Sequence, residues 1–100
     1  MISKRIISID LKHIHTDKAF LKYLYKQLQF PDYFGFNYDA LDECMRDFSW
    51  FPESEIIIYF KGLENLTHHP ELYQKIKHSL EFSQKYWRNQ SNNKQVSISF

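Results

Sequence analysis

The chain has 100 residues, 43% hydrophobic and 18% aromatic, with five Gly and Pro residues in all. That composition is enough for one domain, residues 1–100, with its own core, and it excludes a disordered or low-complexity chain. The formal net charge of +1 conceals a strong segregation. The stretch 32–55 holds seven acidic residues against Arg46 alone, a net −6, and the remainder carries +7. Charge separated on this scale bears on partner recognition and association rate rather than on fold.

No stretch approaches the roughly 18 apolar residues of a membrane span. The opening MISKRIISIDLKH returns to charge too soon for a signal-peptide core, and no lipidation motif is present. The expected location is therefore the cytoplasm, without membrane contact. Cys44 is the only cysteine, so an internal disulfide is excluded. It follows Asp42 and Glu43, which oppose a thiolate, and reads as a small buried apolar residue.

In chain order, Arg5–Asp10 reads as a first strand rich in β-branched residues. Thr16 or Asp17 caps a helix over Lys18–Gln29. Phe20, Leu21, Leu24 and Leu28 form its apolar stripe, and Lys18, Lys22 and Lys26 a solvated row. Pro31 breaks this helix, and Gly35 is expected at a positive φ. Asn37 caps a second helix, Tyr38–Phe48, and Pro52 follows.

Glu55–Phe60 is a continuous apolar run, the pattern of a strand covered on both faces. Gly62 closes it, and a short helical turn is expected within 63–69. Pro70 suits the first position of a long helix, with Glu71 in its first turn and Leu72, Ile76 and Leu80 as its buried stripe. Tyr73 or Trp87 extends that stripe. Residues 89–94 read as a loop, and 95–100 alternate as a half-buried edge strand does. Strands separated by helices imply crossovers, hence an α/β domain with a small three-stranded parallel sheet and about four helices.

The second helix concentrates the chemistry. At 3.6 residues per turn, Ala40, Leu41, Cys44, Met45 and Phe48 fall on one side. Asp39, Asp42, Glu43, Arg46 and Asp47 fall on the other, which must be solvated because unpaired carboxylates are costly to bury. Asp39 suits the helix dipole. Glu43 and Asp47 lie too far along the helix for that, and Asp39–Glu43 and Glu43–Asp47 are like-charge pairs at i,i+4, each costing roughly 0.2–0.5 kcal/mol. Arg46 can relieve Asp42 or Glu43 but not the whole set. On spacing alone an ordinary solvated acidic face competes with a surface for a cationic partner. Tyr33, Phe34, Phe36 and Tyr38 precede the helix, and Phe48, Trp50 and Phe51 follow it. Aromatic anchors beside steering charges suit a protein interface.

These residues also match a known pattern. Pro31-Asp32-Tyr33-Phe34-Gly35, then Asn37-x-Asp39-Ala40-Leu41, then Glu43-Cys44, resembles the signature of the barstar family of ribonuclease inhibitors. Eleven residues match within the 14 positions 31–44. Length and element order extend the resemblance loosely over the whole chain, the last helix and strand by pattern only.

The resemblance implies an inhibitor rather than an enzyme, with no cofactor and no metal. Its expected partner is a basic bacterial ribonuclease, bound one to one by a protein that is monomeric when free. It implies that loop and helix plug the enzyme's active site, with carboxylates standing where the RNA phosphate lies. The partner-binding set is then Tyr33, Phe34, Gly35, Asn37, Asp39, Asp42, Glu43, Arg46 and Asp47. Glu43 stands where the family has a central aspartate, Asp42 where it has a tryptophan, Asp47 for a glycine and Phe48 for a tryptophan. A further interface glutamate of the family has only Glu81 nearby.

Two other readings compete. Asp39-x-x-Asp42-Glu43 offers oxygens to Mg²⁺ or an acid/base pair, and His13, His15, His68 and His69 offer nitrogens to zinc. No phosphate loop, nucleophile–base arrangement or finger spacing accompanies them. The other is a barstar-fold immunity module for a different basic protein or toxin. Direct nucleic-acid binding is not expected, since the basic remainder carries no recognised motif.

Overall fold

The computed structural model describes residues 3–90 and 93–100; Ser91 and Asn92 of the expected loop lie outside them. Strand β1 (Lys4–Asp10) leads to helix α1 (Asp17–Gln27), helix α2 (Tyr38–Met45) and strand β2 (Glu55–Lys61). A 3-10 helix (Leu63–His68), helix α3 (Pro70–Arg88) and strand β3 (Gln95–Ser99) complete the order. Thr16 caps α1 by accepting from the Ala19 N–H at 3.0 Å, and Pro70 opens α3, where its missing N–H costs nothing. Gly62 holds φ +82°, and a side chain there would meet Asp10 and the Lys12 backbone at 3.2 Å.

The three strands pair in parallel in the order β1-β2-β3. Such crossovers are nearly always right-handed, so two successive ones stepping the same way put all their helices on one face. Burial follows that rule. Ile9, Ile56, Ile58, Phe60, Val96 and Ile98 point inward to one core shared with Phe20, Leu24, Leu41, Met45, Ile76, Leu80 and Trp87. The reading of β2 as covered on both faces is therefore corrected. Its burial alternates, Ile57 is half-buried, and Tyr59 is 44% exposed on an uncovered outer face.

Two helix ends also differ from the spacing. α1 stops at Gln27 and α2 at Met45, because Gln29 (φ 53°) and Phe48 (φ 54°) turn the backbone into the left-handed region.

Candidate functional site

The site is built on α2 and the loop before it. The Asn37 side chain accepts from the Ala40 N–H at 2.8 Å, capping α2 as its residue type predicts. Leu41, Cys44 and Met45 enter the core. Cys44 is buried in the core as a packing residue, and burial, then Asp47 and Glu43, pushes its thiol up.

Eight residues are too few for a helix to hold itself, and the tertiary structure pins α2 at both ends. At its start, the Tyr38 hydroxyl donates to Asp17 Oδ1 at 2.7 Å, and Lys75 of α3 donates to the other Asp17 oxygen at 3.4 Å. Burial, then Asp17, raises the Tyr38 pKa far above its ordinary value. At its end, Trp87 Nε1 donates to the Met45 carbonyl at 2.7 Å inside the core. Lys94 Nζ collects the carbonyls of Phe48 and Phe51 at 2.9 and 2.5 Å.

The loop is held by aromatic packing. Phe34 is 4% exposed, with ring centroids 4.9 Å from both Phe30 and Phe36 and 6.0 Å from Tyr25. Phe34 is thus the buried pin of the loop rather than a surface for a partner. Gly35 does not carry the positive φ expected of it; Phe36 does, at 52°. Gly35 instead leaves room for Asn37, whose amide nitrogen would stand 3.3 Å from an added Cβ. Tyr33 is 74% and Phe36 48% exposed, so these two rings face solvent. Phe36, which the matched signature did not include, is thus a further exposed ring of this loop, and its signal in the sequence was its place among the clustered aromatics. Desolvation, then Cys44, Asp47 and Glu43, raises the Tyr33 pKa.

The carboxylates divide. Asp39 and Glu43 are exposed on α2, and Asp47 is exposed in the turn beyond it, with Oδ1 accepting from the Ser49 N–H at 3.1 Å. None of the three is in an ion pair among the described residues. Asp42, assigned by spacing to the solvated face, is half-buried and accepts from Ser79 Oγ of α3 at 2.5 Å. Ser79 is buried on α3 and needs that acceptor.

Arg46 is turned the same way. Its Nε donates to the Asp42 carbonyl at 3.0 Å, and its guanidinium lies over Phe82 and Tyr86 at 5.1 and 5.9 Å. Asp42 and Arg46 therefore belong to the α2–α3 seam, and Arg46 leaves the outer carboxylates uncompensated. Glu81 is exposed on α3. The rings of His15 and His69 meet edge to face at 5.6 Å, but no group of three or more His, Cys, Asp or Glu among the described residues is placed to hold a metal ion.

A three-stranded parallel sheet, helices on one face, and an acidic helix behind an aromatic loop define a small α/β domain. Residues 4–99 match the family model described as Barstar (barnase inhibitor), and the chain belongs to that family. The family is thus described by inhibition of a ribonuclease. No curated protein matches the chain. No helix among the described residues is long and apolar enough to cross a membrane.

Proposed function

We propose that the protein is a cytoplasmic inhibitor that binds a basic ribonuclease one to one and covers its active site. The observation that carries this reading is the solvent row Asp39, Glu43 and Asp47, which no ion pair compensates among the described residues. A ribonuclease must present cations to a phosphodiester, and charge-assisted hydrogen bonds from such cations serve a carboxylate as well. Asp39 and Glu43 are one helical turn apart, about 6 Å along the axis, so two neighbouring cations of the enzyme can be engaged at once. Tyr33 and Phe36 supply rigid apolar contact beside the charges. The fixed helix and loop spare the complex an ordering cost. The uncompensated charge steers the encounter, an effect that salt weakens.

The test is inhibition of a barnase-type ribonuclease at low and high salt, beside Glu43→Ala. The expected result is inhibition that weakens with salt and drops on the order of 100-fold in the variant. Absence of inhibition would overturn the reading and leave the family and fold intact. The acidic face would then belong to an immunity module for another basic toxin.

A further inference from the structure

Among the described residues nothing covers the outer face of the sheet, although parallel sheets almost always have both faces covered. The parallel register aligns its outward residues in rows across the strands: Lys4, Glu55 and Gln95; Ile6, Ile57 and Ser97; Ser8, Tyr59 and Ser99; Asp10 and Lys61. Ile6 is 61% and Tyr59 44% exposed, with Ile57 half-buried between them. The centre of the face is apolar, its flanks are serines, and its two ends are charged.

The order of those charges selects the occupant. At one end Lys4 stands on β1 and Glu55 on β2, 3.8 Å apart. At the other end Asp10 stands on β1 and Lys61 on β2. The signs are reversed between the ends, strand by strand. A second copy laid face to face, about a two-fold axis running across the strands, brings β1 over β1 and β2 over β2 with the ends exchanged. Lys4 then lies over Asp10 of the second copy and Glu55 over its Lys61, and each pair occurs twice. Ile57 lies over Tyr59. The other in-plane axis, along the strands, puts Glu55 over Glu55 and Lys61 over Lys61, which repel.

We propose that the free protein self-associates through this face, antiparallel, as a two-fold dimer, in place of the monomer expected from the sequence. Three strands about 4.8 Å apart and about 3.3 Å per residue in length offer on the order of 300 Å² per copy. A standard stable interface uses about 800 Å² per partner, so the dimer is weak and exchanges rapidly. The helices lie on the other side of the sheet, which leaves the acidic face of each copy open.

The experiment is sedimentation equilibrium of the purified chain up to about millimolar concentration, where an interface this small is populated. The wild type is run beside Lys61→Glu, Glu55→Lys and the double exchange Glu55→Lys/Lys61→Glu. The expected mass rises from 12.2 kDa toward twice that value in the wild type. Each single exchange weakens association several-fold, and the double exchange restores it. Concentration-dependent amide shifts of the wild type, centred on Ile6, Ile57 and Tyr59, check the face without any variant. A mass that stays at one chain throughout overturns the proposal. So do single exchanges that associate as the wild type does, or shifts that centre on α2.

Discussion

At residue scale, the acidic cluster separates into groups that cost stability and one that contributes to it. Asp39 and Glu43 are a like-charge pair within α2 that no ion pair compensates among the described residues. Glu43→Gln should therefore hold or raise the stability of the free protein, by up to about 0.5 kcal/mol, while weakening partner binding. Thermal melts beside binding isotherms read both; lost stability with retained binding would make Glu43 structural. Asp42→Ala should do the reverse, because it removes the acceptor of the buried Ser79 hydroxyl. A loss of about 1–2 kcal/mol in a denaturant melt is expected, tempered by the partial exposure of Asp42, with a smaller effect on inhibition. Spacing identified the capping Asn37, the buried Cys44 and the solvated Asp39 and Glu43. It misassigned Asp42 because helical period knows nothing of a serine 37 residues away. It placed the positive φ at Gly35 by residue type, whereas the packing of Phe34 beneath the loop fixes it at Phe36.

At the scale of elements, α2 is a short helix made rigid by its neighbours. Trp87→Phe keeps an aromatic ring in the core but strips the Met45 carbonyl of its buried donor. The expected cost is about 1–3 kcal/mol, with hydrogen-exchange protection falling first around residues 45–48. Unchanged protection there would mean that Lys94 alone holds the end of the helix. The elements themselves were largely readable, since caps, prolines and apolar periodicity agree with one another at α1, α2 and α3. The C-terminal ends of α1 and α2 were not, because Gln29 and Phe48 accept left-handed backbone that glycine usually supplies, and only tertiary packing enforces it.

At the scale of the molecule, the strand order has a pH-sensitive tie beside it. Arg5 of β1 donates from Nε to both oxygens of Glu53 at 2.9 and 2.8 Å, while its guanidinium covers Phe51 at 4.2 Å. This hydrogen bonding holds the Glu53 carboxyl below its ordinary 4.5. A lowered folded-state pKa means that the contribution is complete above the ordinary value and is lost as pH falls through the folded one. The melting temperature should thus drop with acid below about pH 4.5, and Glu53→Gln should flatten that drop while lowering the neutral value. A variant with the wild-type acid slope would assign the loss to other carboxylates. The three-stranded parallel sheet was legible from the alternation of strands and helices. Its one-sided covering was not, because the apolar run 55–60 looks the same whether its outer face meets a helix or a second protein surface.

The clamps on α2 have a consequence for timing. Asp39, Glu43 and Asp47 emerge from the ribosome well before Ser79, Trp87 and Lys94, which bond to Asp42, the Met45 carbonyl and the Phe48 carbonyl and so hold α2 and its end in place. At about 5–20 residues per second, the 47 residues separating Asp47 from Lys94 take roughly 2–9 s to translate. A nascent chain therefore carries the acidic segment long before it can present it in the geometry described above. The acidic geometry of α2 is therefore a property of the completed chain.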